Sequence, residues 1–194
     1  MEHWQYYLRG RLLEAIGHKQ AAITAYRGAL QLKTDFPRAA NRTAYLLSSL
    51  DCYEEAEKLF RHALKSDPDN AAAYFNLGYT LDKRGLHEQA IAAFREATRL
   101  RPGLDRAWYG MGLARAALGR HLEAATALEE AAKLQPMNPH AWYQLGMALH
   151  FSGSTERFLQ VVMHLLRFDP KMTRRLILES GRTDLIHLVK DLAV

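Results

Sequence analysis

The residues best equipped for chemistry in this chain do not form a reactive set. Two adjacent carboxylate pairs stand out, Glu54-Glu55 and Glu129-Glu130. Paired carboxylates can divide acid and base roles only when they converge on one bond. Adjacent positions on a helix diverge by about 100°, so these pairs read as solvated faces. Gly110-Met111-Gly112 begins a dinucleotide fingerprint, yet Arg115 stands at the third glycine position and no strand precedes it. His87-Glu88 would open a two-histidine zinc helix, but Ile91 occupies the place of the second histidine. The other histidines are scattered. His87 and His121 share one turn position and read as solvent-exposed. Cys52 is the single cysteine, which leaves no internal disulfide and no multi-cysteine zinc site. Asn41-Arg42-Thr43 formally matches a glycosylation sequon but falls within an expected helix. The sequence therefore predicts no enzyme, no metal, no cofactor and no small-molecule substrate.

Bulk properties narrow the class further. The chain is 48% hydrophobic and 24% charged, an ordinary balance for a globular protein and too apolar for disorder. Its formal net charge of +5 favours an acidic partner mildly, although much of that charge reads as solvated face. Basic residues are interleaved with acids and carry no nucleic-acid motif, which argues against DNA or RNA. Nothing approaches about eighteen consecutive apolar residues. The opening MEHWQYYLRGRLLEA has charges and no apolar signal core. The expectation is a cytoplasmic protein that does not insert in a membrane.

Any functional side chain must be positioned by a repeat. Ala71 to Leu104 holds two amphipathic helical patterns joined by a turn, and shifting by thirty-four residues brings the neighbouring stretches into register. The units are 3–36, 37–70, 71–104, 105–138 and 139–172. Gly10, Gly78, Gly112 and Gly146 fall mid-way along the first helices, with Ala44 in the second unit. A mid-helix glycine costs about 1 kcal/mol relative to alanine, so its recurrence predicts close approach of the partner helix. Gly17, Gly85, Gly119 and Gly153 fall where a positive φ would end the first helix. On the second helices Ala22, Ala56, Ala90 and Ala124, then Ala29, Ala63, Ala97 and Ala131, form a small-residue stripe. Tyr26, Phe60, Phe94 and Leu128 supply bulk between them. Pro68, Pro102, Pro136 and Pro170 close units, while Pro37 and Pro139 open them.

The fifth unit breaks the small stripe with Phe158, Val162 and Leu165, so its second helix must pack differently. Residues 173–194 read as a helical cap. Leu176, Ile177 and Leu178 form an apolar cluster, and Thr183 is the expected N-cap of a helix carrying Leu185, Ile186, Val189 and Leu192. That segment would cover the last repeat or serve as a self-association surface.

The pattern W/Y-x2-L-G-x2-L, then Gly, then A-x3-F-x2-A and Pro, resembles the tetratricopeptide repeat. The match is best at Trp108, Met111, Gly112, Gly119, Ala124, Leu128, Ala131 and Pro136, and it covers residues 3–172. The resemblance implies an all-α fold, a right-handed superhelical α-solenoid of five antiparallel helix pairs plus C-terminal capping helices. It also implies a concave groove lined by the first helices. The groove positions of the family fall here on Trp4, Tyr7 and Arg11; on Arg38, Asn41, Arg42 and Tyr45; and on Phe75, Asn76, Tyr79, Asp82 and Lys83. They continue with Arg106, Tyr109 and Gly110, then His140, Tyr143, Gln144, Met147 and Phe151.

Tyr7, Phe75, Tyr109 and Tyr143 share one repeat position, interrupted by Asn41. Such aromatics either offer apolar area to a partner or pack between repeats. Arg11, Arg38, Arg42, Lys83 and Arg106 outnumber Glu14 and Asp82. Asn41, Asn76 and Gln144 can hydrogen-bond an extended backbone in either sense. Gly110 either admits close approach of a ligand or reflects neutral drift. Some family members clamp chaperone tails; Asn76 and Arg106 match two elements of that clamp, while Asn41, Tyr45 and Gly110 depart from it. The implied function is a non-catalytic adaptor or scaffold holding an acidic or aromatic-containing segment of another protein. Two alternatives stand beside it: a self-assembling oligomeric scaffold, and a targeting or regulatory domain of a larger enzyme or assembly.

Overall fold

The computed structural model describes residues 1–190, and every regular element among them is helical. Helices α1 (Glu2–Ala15), α2 (Lys19–Leu32), α3 (Pro37–Ser48), α4 (Tyr53–Ser66), α5 (Ala71–Lys83) and α6 (His87–Leu100) build a first compact unit, Met1–Arg101. Helices α7 (Asp105–Ala117), α8 (His121–Leu134), α9 (Pro139–Phe151), α10 (Thr155–Leu166) and α11 (Pro170–Glu179) belong to a second, Pro102–Val194, with a 3-10 helix at Thr183–Val189. Within each unit consecutive helices pack as antiparallel neighbours.

The mid-helix glycines show what closes a pair. A Cβ at Gly10 would lie 2.5 Å from the Tyr26 ring, at Gly78 2.7 Å from the Phe94 ring, and at Gly112 2.5 Å from Leu128. The glycine therefore makes room for one bulky side chain of the second helix, more than for its backbone. These bulky residues are fully or almost fully buried, so the pair cannot slide without opening a void. At Gly146 the occupant is different. The atoms nearest to a Cβ there all belong to Leu176 of α11, 2.6 Å away at the closest, in place of a side chain from α10. Phe158 stands fully buried where other second helices carry alanine, so α10 sits differently and α11 also packs on α9.

The first helices end alike. Gly17, Gly85, Gly119 and Gly153 have φ between 73° and 82°. The following N–H reaches back five residues, as in Leu86 N to Leu81 O at 2.9 Å, which is the Schellman closure. In the second repeat Asp51 takes this place with φ 60°. It does so as the sole non-glycine residue with positive φ among those described.

The C-terminal segment corrects the sequence reading. Pro170 opens α11 in place of closing the fifth repeat, and the Asp169 side chain accepts from Met172 N at 2.8 Å. Thr183 is not an N-cap. Gly181, with φ 69°, ends α11 and places Arg182 at the entry to the 3-10 helix, where its guanidinium forks onto Asp184 at 2.9 and 2.8 Å. Leu176, Ile177, Leu185 and Val189 are buried in this unit, while Leu178 is exposed. Leu192 lies outside the described residues.

Two stability outcomes follow from the packing. Gly78→Val should destabilise by about 1–3 kcal/mol in urea denaturation, because the Phe94 ring has nowhere to go. Asp51→Gly should stabilise by about 0.5–1 kcal/mol by relieving a left-handed residue. An unchanged midpoint for the second variant would mean that the bond from Tyr53 to Asp51 offsets the strain.

Candidate functional site

In the first unit α1, α3 and α5 surround a cavity of about 520 Å³. Arg38, Asn41, Arg42 and Tyr45 reach it together because spacings of three and four residues place them on one face of α3. Tyr7 and Arg11 come from α1, and Ala72, Ala73 and Asn76 from α5. Asp67 and Asn70 complete the wall from the turn before α5.

Glu14 organises the basic side of this cavity. Its carboxylate accepts from the Tyr26 phenol at 2.6 Å and from Arg42 at 3.2 Å. Burial first, and that donated bond second, push the Tyr26 phenol well above its ordinary ionisation range. Arg11 is held further toward its charged form by its hydrogen bond to Tyr7. Arg38 lies 5.7 Å from the Trp4 ring centre and has no carboxylate partner among the described residues. Asn41 Oδ1 is buried and without a hydrogen-bond donor. On the far wall Asn70 donates to Asp67 at 2.8 Å and accepts from Ala73 N at 3.0 Å, capping α5.

An adjoining hollow of about 260 Å³ shares Tyr45 and Asn76 with the cavity and adds Ser48, Ser49, Phe60, Phe75 and Tyr79. Phe75 packs on Phe94, ring centres 6.0 Å apart. Tyr45 and Tyr79 are 49% and 45% exposed, which makes them the open aromatic surface of this hollow. Lys83 sits 5.5 Å from the Tyr79 ring centre. The buried Ser48 and Thr80 hydroxyls, 3.1 Å apart, pin α3 to α5 beneath it.

In the second unit a hollow of about 290 Å³ is lined by Asp105, Arg106, Tyr109, Asn138 and His140 among others. Burial raises the Tyr109 phenol, and the neighbouring Gln144 amide acts the other way. Gly110 is half-buried within α7. A separate cleft of about 280 Å³ lies among α8, α9 and α10, floored by Trp142, Leu145, Leu149 and Val161 and bridged by Arg157 to Glu129 at 2.7 Å.

The structure thus gathers Arg38, Asn41, Arg42, Tyr45 and Asn76 in one cavity, with Phe75, Tyr79 and Lys83 beside it. The aromatic row needs correction at both ends. Tyr7 and Tyr143 are each only 7% exposed. Tyr7 packs among Trp4, Tyr26 and Phe36. Tyr143 lies under α11, where its phenol donates to Glu179 and Arg175 lies 4.9 Å from its ring centre. In α3 and α5 exposed rings stand four residues further along, at Tyr45 and Tyr79. Asp67 and Asn70 escape a reading of the sequence because they fall in a turn whose residues look purely structural. The only signal for them is a cap-forming asparagine ahead of an apolar run.

No group of three or more His, Cys, Asp or Glu among the described residues could hold a metal ion. No described helix is long and apolar enough to cross a membrane. The family model for the tetratricopeptide repeat matches residues 41–105 and 109–171, and a second model of that description matches 6–36. The chain belongs to the tetratricopeptide repeat family.

As a tetratricopeptide repeat protein it is an all-α solenoid of paired antiparallel helices with capping helices. Among solved structures it is similar to the crystal structure of YrrB, described as a TPR protein with an unusual peptide-binding site. That likeness has 21% identity and a TM-score of 0.80 over 91% of this chain and 90% of that one. A crystal structure of MamA protein matches at 20% identity and TM-score 0.78, covering 99% of this chain and 97% of the other. MamA 41-end from Desulfovibrio magneticus RS-1 matches at 18% and 0.76, over 93% and 96%. At these identities the likeness is one of fold. No curated protein sequence matches the chain. Tetratricopeptide repeat folds generally mediate protein–protein interaction through a concave groove, typically with a peptide partner.

The α11 latch gives a pH test. The bond from Tyr143, then the bond from Arg175, hold the Glu179 carboxyl below its ordinary value. A lowered carboxyl stabilises above its unfolded pKa and loses that contribution as pH falls through its folded one. Hydrogen exchange of α11 amides should therefore quicken relative to α9 on acidification through the carboxylate range. Glu179→Gln should show faster exchange already at neutral pH; identical rates in both proteins would remove the latch.

Proposed function

We propose that this chain is a non-catalytic adaptor that holds an extended segment of another protein against α1, α3 and α5 of its first unit. The observation that carries the reading is the union of two hollows through Tyr45 and Asn76, one polar and arginine-rich, the other aromatic. A segment with an acidic side chain near an apolar or aromatic one complements both. Exposed tyrosines offer large contact area at low entropic loss. Asn76 sits where the hollows meet and can serve a partner backbone as donor or acceptor.

The likeness to YrrB, a protein described as having a peptide-binding site, agrees with this use of the fold. Leu176, Ile177, Leu185 and Val189 are buried within the second unit, so these four side chains offer no surface for self-association.

Affinity capture from the native source should recover a partner through the wild-type chain. Tyr45→Ala and Tyr79→Ala should each weaken that capture by about tenfold, the loss of an aromatic anchor. Arg38→Glu should weaken it most at low salt. Undiminished capture by all three variants, with helical circular dichroism intact, would sink the proposal.

A further inference from the structure

Helix α1 is apolar on two opposite faces. One carries Tyr7 and Gly10 and is buried. The other carries Leu8, Leu12 and Ile16, each at least 60% exposed. Their four-residue spacing holds them in one stripe, with Gln5 inside it and Arg9 at its edge. A helix that is apolar on both faces is ordinarily covered on both.

The other repeats show what covers such a face. The equivalents of Gln5, Arg9 and Leu12 are Ala39, Thr43 and Leu46 in α3, then Ala73, Leu77 and Thr80 in α5. In α9 they are Ala141, Leu145 and Ala148. All of these are buried. Each of the three helices packs on the second helix of the repeat before it: α3 on α2, α5 on α4, and α9 on α8. In this chain, then, the face takes a helix. On α1 it is open, and two polar residues change what the covering helix must bring. Arg9 has no carboxylate three or four residues away along α1. Covering Arg9 without an acid, or Gln5 without a hydrogen-bonding group, would be destabilising.

We infer that this face of α1 docks an amphipathic helix of another protein, whose apolar stripe meets Leu8, Leu12 and Ile16 and whose acidic residue pairs with Arg9. None of Gln5, Leu8, Arg9, Leu12 and Ile16 lines the two hollows of the first unit, so this is a second surface. Charge selects the occupant. A second copy of α1 would set Arg9 and Arg11 against another such pair. The exposed side of α11 would bring Lys171 and Arg174, again like charge. A lipid surface would suit the arginines but leave the Gln5 amide in an apolar boundary without a partner.

The test displays helix-forming peptides of 14 residues, the length of α2, α4 and α8. Leucines at alternating three- and four-residue spacings supply the stripe, and the flanking positions are randomised. Selection on the full chain should enrich peptides with Asp or Glu at one flanking position. Leu12→Asp should lower that enrichment by about tenfold, the loss of one buried apolar contact. Arg9→Glu should invert the preference, from Asp or Glu to Lys or Arg. Both sites are exposed, so the variants should keep their helical circular dichroism. Tyr79→Ala should leave the enrichment unchanged, because that ring belongs to the hollow beside α3 and α5.

An acidic preference that persists in Arg9→Glu would overturn the inference. Enrichment kept by Leu12→Asp but lost in Tyr79→Ala would also overturn it, while leaving the adaptor reading in place. Sedimentation of the chain alone and flotation with phosphatidylserine vesicles distinguish the other occupants. A dimer lost in Leu12→Asp, without peptide enrichment, would give the face to a second copy. Vesicle binding lost in that variant, again without enrichment, would give it to a lipid surface. Either result overturns the docked helix, as does a wild-type chain that enriches no peptide.

Discussion

One contact governs the architecture: a bulky side chain of a second helix seated on a glycine of the first. Tyr26 on Gly10, Phe94 on Gly78 and Leu128 on Gly112 are the same joint made with three different residues. Because the glycine offers no Cβ, the ring or isobutyl group reaches the helix surface and fixes both rotation and axial position. Rotation is what matters for function. Once the glycine faces its partner, the residue just after it is turned about 100° away, while the residue three positions before it shares the joint, as Phe75 does by packing on Phe94. Tyr79 after Gly78 is an instance, exposed while the glycine is covered by Phe94. The structural joint and the functional face are two sides of one helix, and neither can be turned without turning the other.

The regular parts of this arrangement are legible in the sequence because they recur. A glycine or alanine that repeats at a fixed period announces a joint, and positive-φ glycines announce helix ends. What lies at the boundary of the recurrence is not legible. Tyr143 occupies the same repeat position as Phe75 but is covered by α11, which has no counterpart in the other units. Leu176 takes over the joint at Gly146 from a residue far away in sequence, and periodicity cannot foresee such a substitution. Thr183 looks like a cap by type, yet the backbone turns at Gly181 and delivers Arg182 there first. Asp67 and Asn70 reach the cavity from a turn, where composition reflects chain reversal before anything else.

The first-unit cavity differs from an ordinary basic patch in how firmly its members are held. Glu14 joins α2, through Tyr26, to α3, through Arg42. Asn70 is tied to both Asp67 and the start of α5. Side chains already immobilised lose little freedom when a ligand arrives, so more of each contact is available to affinity. The unsatisfied oxygen of Asn41 is the exception in this network. A buried polar atom retained without a partner inside an otherwise satisfied network is where local stability and use diverge.

The stacking of Arg38 near Trp4 gives the molecule a natural optical gauge. The chain has three tryptophans. The indole N–H groups of Trp108 and Trp142 are both tied at 2.8 Å to proline carbonyls, Pro102 and Pro136, and Trp142 also lies 4.1 Å from the His164 ring. Among the described tryptophans only Trp4 has a guanidinium recorded over its ring, that of Arg38. A cation over an indole face alters its emission, so movement of Arg38 would be written into the fluorescence of Trp4. The proposed seating of an acidic partner on Arg38 would thus be visible without any added dye.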